Sequence, residues 1–334
     1  MKDTFFYTLH AILPILLIVT TGYVMRRVGP WDDGFYKKVN QLCFRLFLPI
    51  QLFCNVYAVK DLRTLNGRVL AFIALSILFS AAVGVLTAMF AVKDRNQKGV
   101  IAQATFRSNT AVLGTSLVAS LVGESALGFY AVVAAISIPL FNSLAVIVLV
   151  LFSGDPDRKP TVRSVLKKII TNPLIVGVLC GVAAVLIRQF IPAVDGTPIF
   201  TIKNNLPDIY SALSKMSVIA SPMMIFVLGA RLDFNAVKGN LSQLLLGVLM
   251  RNILCPTVVI SIAVALRNFL NLTPECVASM LSVLVTPVAV STTVMVQEIG
   301  GDDQLAGQIV VWSSVLSMLT IFCFVYVLRS FGLL

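Results

Sequence analysis

Ten runs of about 20 mostly apolar residues follow one another along this 334-residue chain, and no other feature limits its fold as much. They cover approximately 5–25, 36–57, 67–92, 98–121, 125–152, 166–191, 207–230, 240–266, 275–298 and 304–329. Inside a bilayer the backbone finds no water to bond to, so such runs cross it as helices. Composition removes the alternatives. Charged residues are 12% of the chain and hydrophobic residues 58%, against about 25% charged in a soluble domain. That leaves too few charges to cover a water-facing surface, which excludes a soluble enzyme, a nucleic-acid-binding domain and a disordered scaffold. The net charge of +11 is no nucleic-acid footprint, because no basic helix with interleaved aromatics carries it. Lys and Arg sit in short loops, where the lipid bilayer is their partner.

With the N-terminus outside, the loops after spans 1, 3, 5, 7 and 9 and the adjoining span ends hold fourteen Lys and Arg, and the opposite side, counted the same way, holds eight. The excess marks the cytoplasmic face. It predicts a multi-pass protein of the cell (inner or plasma) membrane with both termini external and the 153–165 loop inside. The first run is too long for a signal peptide and runs straight into Arg26 and Arg27, so it reads as an uncleaved helix. The six cysteines lack CxxC spacing and mostly lie in apolar runs, which makes them packing residues. His10, the single histidine, makes no metal site alone.

The halves echo each other. Pro14 and Gly22 of span 1 match Pro173 and Gly181 of span 6; Pro49 and Phe53 of span 2 match Pro222 and Phe226 of span 7. Gly123-Glu124-x-x-Leu127 after span 4 matches Gly301-Asp302-x-x-Leu305 after span 9, an alignment that sets Asn109 opposite Pro287. A repeat of five spans must lie upside down in its second copy, as in secondary transporters. The fold expected is all-α and polytopic: ten transmembrane helices as two inverted five-helix repeats, 1–152 and 166–334, joined by a cytoplasmic linker, 153–165.

Spans 4 and 9 are equivalent, and both read as broken. Span 4 carries Thr105, Arg107, Ser108, Asn109, Thr110 and Gly114; span 9 carries Thr286, Pro287, Ser291 and Thr292. Paired interrupted helices point to a transport site, and half-helix N-termini suit a carboxylate. Arg107 lies two residues from Asn109, and no Asp or Glu sits at mid-span, which favours an anion over a cation. Asn142 in span 5 either faces the same cavity or bonds a neighbouring helix. Asn55 reads as interfacial, and Arg45 and Lys215 as reaching the head groups. The candidate solute-binding residues are Asn109, Arg107, Thr110, Gly114, Asn142, Thr286, Pro287, Ser291 and Thr292.

Together, Pro14/Gly22, Leu48-Pro49, Asn109-Thr110-x-x-Leu113-Gly114 with Gly123, Pro139-Leu-Phe-Asn142, Asn172-Pro173, Ser221-Pro222 with Gly229, and Pro287 with Gly300-Gly301-Asp302 resemble the auxin efflux carrier family. That family includes plant auxin exporters and bacterial malonate or malate permeases. The resemblance covers all ten spans. It implies spans 4 and 9 crossing at their breaks, a scaffold domain beside a moving transport domain, and elevator-like transport of small organic anions such as mono- or dicarboxylates. It maps crossing residues onto Asn109 and Pro287 and a span-5 asparagine onto Asn142. Plant members have a proline at the span-4 crossing, where this chain has Asn109 and Gly114. Their long loop between spans 5 and 6 is only about a dozen residues here, as in the bacterial permeases.

Other readings stay in view. A sodium-coupled symporter of the bile-acid type would need clustered oxygen ligands. Thr286, Ser291, Thr292, Gln297 and Glu298 could supply some, so no cofactor is expected but coupling to Na+ or H+ stays open. A non-transporting sensor would need a domain to receive its signal, and none is appended. Gly300-Gly301-Asp302-Asp303 lacks the spacing and the second mid-span Asp of an intramembrane aspartyl protease. A homodimer is compatible with all of this.

Overall fold

The computed structural model describes residues 2–58, 66–153, 170–194, 197–232 and 237–334. In chain order the helices of the first half are α1 (Lys2–Val28), α2 (Asp33–Leu42), α3 (Leu48–Tyr57), α4 (Gly67–Ala91), α5 (Arg95–Phe106), α6 (Thr110–Val122) and α7 (Leu127–Phe152). The second half has α8 (Pro173–Phe190), α9 (Ile202–Asn205), α10 (Pro207–Ala230), α11 (Val237–Leu249), α12 (Cys255–Ala265), α13 (Arg267–Leu270), α14 (Pro274–Leu284), α15 (Ser291–Ile299) and α16 (Asp303–Ser330). A small antiparallel ribbon, β1 (Ala193–Val194) with β2 (Thr197–Pro198), lies between α8 and α9. Apart from Ser153, the expected 153–165 linker falls outside the described residues, as does the start of run 6.

Helix starts follow local chemistry. The side chains of Asn172, Thr273 and Asp302 accept the backbone N–H of Leu174, Cys276 and Leu305, and Pro173 and Pro274 occupy the first helical position. Asp302 is thus a helix cap. Inside two spans, proline has another effect. Five-residue wide turns, Cys43–Phe47 and Met250–Leu254, join α2 to α3 and α11 to α12 just before Leu48-Pro49 and Cys255-Pro256. Each proline ring would press on the carbonyl four residues back, that of Arg45 or Asn252. Both carbonyls lie in the wide turns, which take up the misfit without breaking the helix.

Six helices are each long and apolar enough to cross a bilayer: Gly67–Ala91, Glu124–Phe152, Pro173–Phe190, Pro207–Ala230, Asn240–Ala265 and Asp303–Ser330. The outside of the bundle is apolar, with Phe90 85% and Phe190 87% exposed, while Arg107, Asn109, Asn142, Arg251 and Asn252 are buried inside. An apolar skin over a polar interior fits lipid and not water. The chain is a predominantly helical, polytopic membrane protein.

Two extensively packed helix pairs are α1 with α10 and α3 with α8. Glycines set both. A Cβ on Gly22 would lie 2.1 Å from the carbonyl oxygen of Phe226, and one on Gly229 would lie 1.9 Å from that of Val19. In the second pair, a Cβ on Gly177 would meet the Pro49 oxygen at 2.4 Å, and one on Gly181 would meet the Val56 side chain and the Phe53 oxygen. Backbones approach this closely in membranes where small residues line the seam. Beside these four helices, α4 packs on α5 and α7, and α11 on α16.

Candidate functional site

α5 is separated from α6 by the non-helical residues 107–109, and α14 from α15 by residues 285–290. A 12-residue helix such as α5 rises about 18 Å, little more than half of the hydrocarbon thickness, so it is too short to cross it alone. The two interruptions meet. Ser108 pairs antiparallel with Val288. Asn109 N–H donates to the Pro287 carbonyl at 2.9 Å, and Ala289 N–H donates to the Arg107 carbonyl at 3.3 Å. Val288 N–H donates to Ser313 Oγ of α16 at 3.1 Å. The unwound backbone is therefore satisfied by partners from other helices, as it must be at this depth.

Pro287 lies in the break of span 9, yet span 4 breaks equally well without a proline. The tertiary bonds hold both breaks. Pro287→Ala is expected to cost no more than about 1 kcal/mol, through the freer unfolded chain. Ser313→Ala, which strands the buried Val288 N–H, is expected to cost more, about 1–3 kcal/mol. Thermal unfolding of the two variants in detergent checks the order.

A small cleft opens beside the crossing. Arg107, Ser108 and Asn109 line it from span 4, Ala289, Val290 and Ser291 from span 9, and Asn142 from α7. Its other wall is α3 and α10, through Gln51, Asn55, Ser221 and Met224. The first turns of α6 and α15 both border it, and the leading N–H groups of a helix have no partner within the helix. None of the lining residues is acidic.

Arg107 is 1% exposed. Its guanidinium donates to Asn142 Oδ1 at 2.8 Å and Ser291 Oγ at 2.7 Å, reaches Gln103 Oε1 at 3.4 Å, and touches Met295 Sδ. All these partners are neutral, and no carboxylate pairs with it among the described residues. Asn142 is in turn fixed by its own amide, which donates to the Ile138 carbonyl. The Asn109 side-chain amide nitrogen is buried without a hydrogen-bond partner. A buried, uncompensated cation beside an unpartnered donor is costly unless something negative arrives.

The structure divides the expected site residues. Arg107, Asn109, Asn142 and Ser291 share the cleft. The other five are not among its lining residues and bond or pack within the crossing. Thr110 Oγ1 lies 3.2 Å from the Tyr130 hydroxyl and 3.3 Å from Ser282 Oγ, and Tyr130 also donates to the Thr110 carbonyl. Gly114 makes room for that tyrosine, since a Cβ there would sit 2.1 Å from its hydroxyl. Thr286 Oγ1 donates to the Ser282 carbonyl, Pro287 accepts from Asn109, and the Thr292 carbonyl accepts from Gln103. Asn55, read above as interfacial, lines the cleft, as do Gln51 and Ser221, for which no expectation was formed. Gln51 donates to Ser221 Oγ at 3.1 Å; amides and hydroxyls inside apolar spans were the available signal. Lys215 is exposed, away from the cleft.

Arg251 lies within the apolar run 240–266. It is 3% exposed, and its guanidinium bonds the carbonyls of Phe106, Val283 and Thr286, at the ends of α5 and α14. Among the described residues, no group of three or more His, Cys, Asp or Glu could hold a metal ion.

A family profile described as membrane transport protein matches residues 7–325. No curated protein matches the chain. Covered over nearly its whole length by that profile, and built around a polar crossing of two broken helices inside an apolar bundle, the chain belongs to the membrane transport protein family, the auxin efflux carrier family that its sequence resembles.

Proposed function

We propose that the protein is a secondary transporter of small organic anions, with mono- or dicarboxylates as the solute class. The observation that carries this is the cleft at the crossing: buried Arg107 with neutral partners, the unpartnered Asn109 amide, two helix N-terminal turns and no acidic lining residue. A carboxylate answers each of these features at once. Its charge offsets Arg107, and its oxygens accept from the amide and from the open N–H groups.

An inverted repeat of ten spans accounts for a symmetry in the packing. Gly22 and Gly181 are equivalent by the sequence repeat, and so are Phe53 and Phe226. Gly22 meets the backbone of Phe226, and Gly181 meets that of Phe53. The contact between spans 1 and 7 is thus repeated between spans 6 and 2, as a twofold axis in the membrane plane requires. In this reading α1–α3, α8 and α10 form the scaffold, and the crossing bundle moves against them with the cleft between. The Arg231–Asp303 pair, 2.9 Å, joins α10 to α16 across that boundary, and Arg231 also bonds Gln297 of α15. These contacts tie the two parts together.

Uptake into proteoliposomes of a panel of labelled mono- and dicarboxylates, with and without sodium or proton gradients, tests the solute class. Saturable uptake of at least one carboxylate is expected. Transport of amines or metal ions with no carboxylate transported would overturn the anion reading. Reporter fusions at Leu334 and Asp157 test the topology, with an external signal expected at the first and a cytoplasmic one at the second.

A further inference from the structure

We infer that Arg251 is a built-in cation occupying the place of a coupling ion at the crossing, so that transport needs no sodium. The inference rests on reading the crossing as the transport site. Interrupting two helices creates two C-terminal ends there, at α5 and α14. Such ends carry partial negative charge and carbonyls without partners in the helix. In sodium-coupled carriers, unwound carbonyls and half-helix C-terminal ends are what coordinate the ion.

Here those carbonyls are already taken. Arg251 Nε and Nη2 donate to the Thr286 oxygen at 2.9 and 2.7 Å, Nη2 also donates to the Val283 oxygen at 3.0 Å, and Nη1 donates to the Phe106 oxygen at 3.0 Å. One guanidinium therefore serves both half-helix ends and ties them together. Its planar fork of donors is suited to gathering several oxygens at fixed angles. No carboxylate pairs with it among the described residues, so its charge is set against the two helix ends.

Three of the five side chains whose oxygens could have helped complete a sodium shell are engaged by other groups. Thr286 Oγ1 is bonded to the Ser282 carbonyl and Ser108. Ser291 accepts from Arg107, and Gln297 from Arg231. A hard cation needs several oxygens gathered around one point, and the carbonyls of Phe106, Val283 and Thr286 are not free for it while Arg251 is in place. The division of labour is then clear. Arg251 quenches the negative ends of the broken helices, leaving Arg107 and the N-terminal ends to set a positive potential in the cleft.

The test uses sodium itself as the probe, on the purified full-length protein in detergent. Melting temperature is compared in sodium chloride and in choline chloride at equal ionic strength, and radioactive sodium binding is measured directly. The wild type should show no sodium-specific rise in Tm and no saturable sodium binding. Arg251→Lys, which keeps a charge, should behave likewise. Arg251→Ala, which empties the carbonyl cluster, should melt lower in choline and recover part of that loss in sodium, with saturable binding. If it cannot be purified, Arg251→Gln, which removes charge but keeps donors, should show the same gain.

Saturable sodium binding by the wild type would overturn the inference. So would a folded neutral variant that ignores sodium. Neither readout involves an organic solute. A failed carboxylate panel therefore leaves this inference standing, and sodium binding by the wild type leaves the anion reading standing.

Discussion

Arg107→Gln lowers the affinity for an organic anion by about ten- to a hundredfold, the equivalent of the 1.5–3 kcal/mol attached to a hydrogen bond with a charged group. A dianion loses more than a monoanion, because glutamine keeps some hydrogen-bonding capacity but no charge. Competition binding or the uptake KM for a matched mono- and dicarboxylate measures both effects. Stability should not fall in step. Arg107 is held by Asn142, Ser291 and Gln103, and no carboxylate pairs with it among the described residues. Removing such a charge also removes its desolvation cost, so the solute-free protein should melt close to the wild-type temperature. That split separates a solute contact from a packing residue: a loss of Tm with unchanged affinity would place the anion elsewhere. Asn109→Ala belongs to the same series. It deletes an amide that has no partner to lose, and should weaken binding while leaving the solute-free melting temperature intact.

Gly229→Ala should be among the most damaging single substitutions outside the site. Its Cβ would be placed 1.9 Å from the Val19 carbonyl oxygen, with two more Val19 backbone atoms inside 3 Å. The obstacle is backbone, which no rotamer change can move, so α1 and α10 must separate. Overpacking of this kind costs about 1–3 kcal/mol and occasionally more, with the close seam between the helices lost as well. Gly22→Ala strikes the Phe226 oxygen in the same crossing. The double variant should cost less than the two singles added, because helices already separated by one methyl accept the second. Gly128→Ala is the control: nothing lies within 4 Å of its Cβ, and alanine there should be neutral or slightly stabilising. Thermal unfolding across the four variants decides the matter. If Gly229→Ala melts with the wild type, the α1–α10 seam is not as close as described.

The elements visible in the sequence are those governed by neighbours along the chain. Apolar runs of about 20 residues locate helices because lipid leaves the backbone no other partner. Asn172-Pro173, Thr273-Pro274 and Asp302 mark helix starts because capping and proline geometry act within one turn. The breaks in spans 4 and 9 showed as polar or proline-bearing stretches within otherwise apolar runs. Pairings at a distance, such as Gly22 with Phe226, were not visible, though the repeat hinted at their symmetry.

Direction is what the sequence left undecided. A helix apolar nearly all round presents no face that periodicity could mark. Nothing local therefore told that Thr110 would turn to Tyr130, that Gly114 would make room for the same ring, or that Asn55 and Gln51 would face the cleft. The sequence by itself determined a membrane protein of broken, proline- and glycine-marked spans with basic and no acidic charge at mid-membrane. Only the tertiary structure decided what those charges do. Arg107 and Arg251 are both arginines in apolar runs, yet one borders an open cleft among neutral side chains and the other closes the carbonyl ends of two half-helices. The difference lies in which helix ends are brought within bonding distance of each guanidinium, and that is settled by how the helices pack.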